Sequence, residues 1–121
     1  MLIRLKNKDT LIVNNFKLKC CIGKNGLKKN KIEGDNCTPK GIFTFGTLYF
    51  RRDRVNNPNI KLKKKAIKPN MGWCNDSNHK NYNKEIIVNK ITSSEKLFRK
   101  DHKYDYLIVI NYNKKKIVPN R

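Results

Sequence analysis

The groups with chemistry to offer are four cysteines, two histidines and nine acidic residues. Cys20, Cys21, Cys37 and Cys74 show no Cys-x-x-Cys spacing. Adjacent Cys20 and Cys21 on a strand point to opposite faces, so they do not readily chelate one ion, and no metal site is assigned. The expectation is buried or half-buried thiols. The even count permits disulfides without indicating a pairing. Cys74 and His79 share the loop Cys74-Asn75-Asp76-Ser77-Asn78-His79. A Cys–His nucleophile pair needs contact in space and a third group to orient the imidazole. A spacing of five allows that but does not show it, and a solvated loop histidine is the favoured reading. His102, in Lys100-Asp101-His102-Lys103, is expected to be exposed.

A more informative segment runs Lys31-Ile32-Glu33-Gly34-Asp35-Asn36-Cys37-Thr38-Pro39-Lys40-Gly41-Ile42-Phe43. Glu33, Asp35 and Thr38 are polar residues on a glycine-punctuated loop, and acidic groups stand out in so basic a chain. The same residues are ordinary turn formers. Composition does not separate a polar cleft from turn chemistry.

The elements that must position these residues read as β-rich. Thr10–Val13 is β-prone, and Phe16–Cys20 alternates apolar and polar as a half-buried strand does. Gly23-Lys24-Asn25-Gly26 is a turn, and residues 27–40 form a long loop. Residues 42–50 return to aromatic and β-branched residues. Residues 51–83, with Pro58, Pro69 and many Asn, are expected to be irregular. Ile86–Val88 is a strand. Thr92-Ser93-Ser94-Glu95 matches a capping box, predicting one short helix through about Arg99. Tyr106–Ile110 is continuously apolar, predicting a central strand covered on both faces. Lys116-Ile117-Val118 begins a further element.

The chain has 121 residues, and burial of roughly two-thirds of the unfolded surface is expected at this mass, enough for a packed core. No run approaches the 18 apolar residues of a membrane-spanning helix, and charges interrupt the start where a signal peptide needs an apolar stretch. The net charge is +20. It fits a polyanion partner, or simply the Lys, Asn and Ile excess that AT-rich codons produce. Arginine, the usual bidentate reader of bases, is scarce. Nucleic acid is therefore not expected as a partner.

Several segments, in order, resemble the L,D-transpeptidase catalytic domain family (YkuD-like). Gly23, Asn25 and Gly26, then Lys31, Glu33, Gly34 and Asp35, then Thr38, Pro39, Gly41 and Phe43 match its pattern G-x-N-G, K-x-E-G-D, T-P-x-G-x-F. Tyr49 to Arg54 with Pro58 resembles its Y-R-x-D-R…P stretch. Gly72-Trp73-Cys74-Asn75-Asp76 with Tyr82-Asn83 resembles G-W-C-D-D…Y-N. Glu95 to Asp101 with Tyr104-Asp105 resembles E-x-L-W/F-R-x-D…Y-D, and Asn111-Tyr112-Asn113 fits the turn that follows.

The resemblance implies a mainly β, β-sandwich-like fold with long loops, as a single domain over residues 1–121. It implies peptidoglycan stem peptides as partners, an envelope location, and no cofactor. It implies acyl transfer through a cysteine thiolate, with histidine as base, to a diaminopimelate amine. The family's catalytic segment, G-S-x-I-F-x-H…T-x-G-C, has no match here, and none of the four cysteines follows T-x-G. No catalytic residue is carried over. The family's histidine and cysteine are expected beyond Arg121, which makes the domain partial and incomplete at its C-terminal side. Glu33, Asp35, Thr38, Arg52, Asp53 and Trp73 are the candidates for lining or supporting the substrate cleft, with loop bracing as the alternative role. A basic polyanion- or nucleic-acid-binding module and a non-catalytic wall-binding protein are the competing functions.

Overall fold

The structure, a computed structural model, describes residues 1–121. Strands take up 34% of the residues, and there is no helix. The chain forms two compact units, Met1–Gly41 and Ile42–Arg121.

In the first unit, β1 (Ile3–Asn7), β2 (Thr10–Val13) and β3 (Phe16–Lys19) form an antiparallel meander. Asn14 turns β2 into β3 at φ 52, a left-handed conformation that asparagine tolerates well. Arg4 and Lys6 do not interrupt β1, because charged residues suit the wet face of an edge strand. Two-residue strands β4 (Leu27–Lys28) and β5 (Thr38–Pro39) pair in parallel across the expected loop. All the fully buried residues lie in the second unit, and β3 is exposed along its length. Backbone pairing and polar side chains therefore order the first unit.

The second unit contains β6 (Phe45–Phe50), β7 (Lys64–Ala66), β8 (Met71–Cys74), β9 (Glu85–Ile87), β10 (Ser94–Lys96) and β11 (Tyr106–Ile110). They make two three-stranded sheets, ordered β11-β6-β7 and β10-β8-β9. Tyr49 of β6 and Met71 of β8 meet Ile67 and Leu97 in one core, flanked by Trp73 and Phe98 and by Leu107 and Val109 of β11. Both sheets thus contribute to the same apolar interior, which burial holds together.

Four expectations are corrected. The segment expected as a helix from Thr92 contains strand β10. Ser94, Glu95 and Lys96 lie opposite Cys74, Trp73 and Gly72. No capping box forms: the turn before β10 is closed instead by Asn89, whose Oδ1 accepts from the N–H groups of Ile91 and Thr92 at 3.0 and 2.7 Å. Pairing with β8 then outweighs the helical tendency. β11 is not central. It occupies the outside of its sheet, with Tyr106, Ile108 and Ile110 exposed and Leu107 and Val109 half-buried. The middle position goes to β6, whose Leu48, Tyr49 and Phe50 are all buried. An unbroken apolar run does not distinguish the two positions. Residues 51–83 are also not wholly irregular, since they hold β7 and β8. Lys116–Val118 is no strand; Asn113 closes that stretch as a loop, accepting from Val118 N at 2.8 Å.

Candidate functional site

In the first unit, Asp35 and Thr38 are brought together with the Gly23–Gly26 turn. The Asp35 carboxylate accepts from Lys31 Nζ at 2.7 Å and from the N–H groups of Ile32 and Cys37, both at 2.9 Å. The Ile32 N–H and the Lys31 ammonium hold its pKa well below the usual carboxylate range. The Asp35 carbonyl accepts from Asn25 Nδ2 at 2.8 Å, and Thr38 Oγ1 accepts from Gly23 N at 2.7 Å. A Cβ on Gly23 would sit 2.4 Å from the Asn36 carbonyl oxygen, so only glycine admits that approach. Gly26 and Gly34 stand at φ 85 and 79. The spaced glycines, Asn25, Lys31, Asp35 and Thr38 are one hydrogen-bonded loop system. Glu33 lies exposed on the same loop.

In the second unit, Asp53 follows β6 and binds Arg51. Arg51 Nε and Nη2 donate to the two Asp53 oxygens at 2.8 and 2.7 Å, and Nη1 donates to the Arg99 carbonyl at 2.6 Å. The Arg51 guanidinium also lies over the Phe98 ring, 3.5 Å from its centroid. The Arg51 fork pulls the Asp53 pKa down to about 2. Arg54 continues the network, donating to the carbonyls of Asp101 and Lys100 at 2.7 and 3.0 Å and to Asp105 Oδ1 at 3.2 Å. Arg99 grips Asp101 at 2.8 and 2.6 Å. Exposed His102 reaches the Asp105 carboxylate at 2.8 Å, which holds Asp105 below its ordinary value together with Arg54. Arg52 is exposed and makes no hydrogen bond or ion pair.

Trp73, on β8, belongs to a third cluster. Its ring meets Tyr49 edge to face at 6.4 Å, and the Lys114 ammonium lies 4.6 Å from its centroid. Trp73 Nε1 donates to Asn83 Oδ1 at 3.0 Å, while Asn83 Nδ2 donates to the carbonyls of Tyr112 and Asn113 at 3.2 and 3.0 Å. Burial, with Lys84 nearby, lowers the Lys114 pKa. Behind this cluster the Tyr49 hydroxyl donates to Glu85 Oε2 at 2.7 Å, and Lys65 pairs with the other oxygen at 2.6 Å. Burial pushes Glu85 up, but Lys65 and Tyr49 together bring it below its ordinary value.

Arg51, Asn83 and Lys114 escaped the sequence reading as site residues. The signal for Arg51 was present: R-x-D spacing puts it, not Arg52, two residues before Asp53. Asn83 was marked only by its place in the Tyr82-Asn83 motif, and its left-handed φ of 57 belongs to the fold. Lys114 shows no signal within its lysine run. Cys74 and His79 form no nucleophile pair. Cys74 is fully buried with its thiol toward the Asp76 carbonyl, and His79 Nδ1 accepts from Asn81 N at 3.1 Å. All four cysteines are free thiols, and no group of three or more His, Cys, Asp or Glu side chains is placed to hold a metal.

The strand-rich architecture and the loop motifs that it orders agree with a family match. The family model for YkuD, the L,D-transpeptidase catalytic domain, matches residues 2–119. The chain belongs to that family. The match runs through both compact units. No curated protein and no solved structure matches the chain. The family acts on peptidoglycan and is generally associated with the cell envelope. No helix is long and apolar enough to cross a membrane.

Proposed function

We propose that residues 1–121 are the scaffold and part of the substrate wall of a peptidoglycan L,D-transpeptidase, acting in the cell envelope as one β-sandwich-like domain. The family match over residues 2–119 is the observation that carries this reading. In the reaction that the family implies, a cysteine thiolate attacks the carbonyl between the third stem-peptide residue and D-Ala. The D-Ala amine leaves with a proton supplied by histidine. A diaminopimelate side-chain amine then attacks the thioester carbonyl, gives its proton back to the histidine and frees the thiolate, making the cross-link. The nucleophile and base lie outside residues 1–121 in this reading, because no cysteine or histidine here has the family's context.

The six candidates divide by geometry. Asp35, Thr38 and Asp53 spend their polar atoms on the chain itself, which favours bracing of the cleft loops. Arg52 and Trp73 are the ones with surface to offer a ligand, Trp73 through its partly exposed ring beside Lys114, and Glu33 lies exposed on its loop. An anionic stem peptide suits a chain of charge +20.

The test is to incubate the purified chain with a tetrapeptide-bearing muropeptide and follow both binding and D-Ala release by mass spectrometry. Binding without release is expected, weakened by Arg52→Ala and by Trp73→Ala. Cross-linked product from these 121 residues alone would overturn the placement of the nucleophile. Absence of muropeptide binding would overturn the substrate-wall role.

A further inference from the structure

A further feature of Ile42–Arg121 adjoins the Trp73 cluster, with which it shares Lys114. An open depression of about 600 Å³ is lined by residues 42–44, by Asn111 and Asn113, and by Lys114, Lys115 and Lys116. No carboxylate lines it, and none of the three lysines has an ion-pair partner. Consecutive lysines concentrate positive charge along this lining, and a bound anion offsets it.

The backbone that carries these lysines is held in place. Asn113, at φ 50, closes the loop: its Oδ1 accepts from Val118 N at 2.8 Å, and its Nδ2 donates to Val118 O at 2.9 Å. Lys114 is anchored at the other side by the Trp73 ring and by the Asn83 carbonyl at 3.4 Å. The anchored Lys114 leaves Lys115 and Lys116, both exposed, as the cations available to a ligand. In the same lining, Thr44 Oγ1 accepts from Asn111 Nδ2 at 2.8 Å, which leaves its own proton to donate. Phe43, also in the lining, packs edge to face on Tyr112 at 5.7 Å.

We propose that this depression binds a phosphate group, with Lys115 and Lys116 supplying the charge and Thr44 a hydrogen bond. A phosphate carries more charge and more acceptor oxygens than a single carboxylate, and lysine binds it as a point charge without needing a flat, two-pronged partner. The phosphate has two available sources. Ile42 is 99% exposed at the rim. An anionic lipid surface would bury it beside the headgroups, whereas a free or polymeric phosphate would not. The proposal does not rest on the transpeptidase reading, since Lys115, Lys116 and Thr44, the residues assigned to the phosphate, are not among the substrate-wall candidates.

The whole chain is titrated calorimetrically with tripolyphosphate. Because +20 attracts any anion, the comparison is between two variants of equal charge: Lys115→Gln with Lys116→Gln, and Lys17→Gln with Lys19→Gln on exposed β3. The first pair is expected to weaken binding about tenfold, and the second pair less than twofold. Equal losses in the two, or citrate binding as tightly as tripolyphosphate, would overturn the proposal. Thermal melts of both variants confirm that neither loss comes from unfolding. Phosphatidylglycerol vesicles assign the source. A severalfold loss of vesicle binding by Ile42→Ser, with tripolyphosphate binding unchanged, supports a lipid headgroup. Vesicle binding insensitive to Ile42→Ser supports a free or polymeric phosphate in the same site.

Discussion

Arg51 and Asp53, two residues apart beyond the end of β6, form a two-pronged ion pair in which the arginine is 3% exposed and the carboxylate side chain is 50% exposed. The buried partner is the one with further work to do. It also bonds the Arg99 carbonyl and stacks on Phe98, so one guanidinium fastens the chain after β6 to the segment between β10 and β11.

Replacement of Arg51 should therefore matter more than replacement of its neighbour. Arg51→Ala is expected to lower the Tm by roughly 5–10 °C, and Arg51→Lys to recover less than half of the loss, since an ammonium lacks the fork. Arg52→Ala should stay within about 2 °C, as surface substitutions do. Circular-dichroism melts of the three variants check the order, and equal effects of Arg51→Ala and Arg52→Ala would refute it.

Acid should loosen the same region. The folded pKa of Asp53 is about 2, below the ordinary aspartate value near 4, and Asp35 and Asp101 are depressed in the same direction. A depressed carboxylate stabilises the fold above its unfolded pKa, and that contribution is lost as the pH falls through the folded pKa. Stability is expected to hold above about pH 4 and to decline towards pH 2. Asp53→Asn should reduce stability at pH 7 and make the decline below pH 4 shallower. An unchanged slope in a pH series of melts would count against the pairing.

The loop system of the first unit should respond to one methyl group. Gly23→Ala places Cβ 2.4 Å from the Asn36 oxygen, a backbone atom that has to shift. A cost of about 1–3 kcal/mol is expected for such overpacking. The unit has no buried core, so the loss belongs in local opening rather than in the global melt. Amide hydrogen exchange should speed up at Thr38 and Lys40, whose N–H groups bond the carbonyls of Gly26 and Lys28. Unchanged exchange at these two amides would show that the turn has room after all.

Leu97 tests the core of the second unit. It is 2% exposed and follows β10, with its N–H bonded to the Met71 carbonyl at 3.0 Å. Leu97→Ala should cost about 2–5 kcal/mol, read as a lower urea midpoint. Ile91→Ala, at a 96% exposed position a few residues earlier, should leave the midpoint within error.

Much of the strand content could be read locally. Alternation in Phe16–Lys19 and β-branched runs at Thr10–Val13 and Glu85–Ile87 mark strands because side-chain period follows backbone geometry. β7, β8 and β10 were harder for a common reason. They are three or four residues long, and two of them carry charged or small residues that favour no strand by themselves. Their backbone bonds come from neighbours distant in sequence, as Ser94 opposite Cys74 shows. The candidate residues were legible as motif positions, but the roles of Asp35 and Thr38 were not. A carboxylate facing two backbone N–H groups looks, in a sequence, like one facing solvent.

The amino-acid sequence by itself determined the β-rich class, the family and the glycine-spaced loop, because these rest on residue type and order. Only the tertiary structure decided that β6 and not β11 lies at the centre of its sheet, since burial depends on which strands arrive on either side. It also decided that Arg51 is the buried arginine and Arg52 the exposed one. The two are adjacent and identical in type where the chain turns after β6, and only packing on Phe98 and Arg99 says which one is inward.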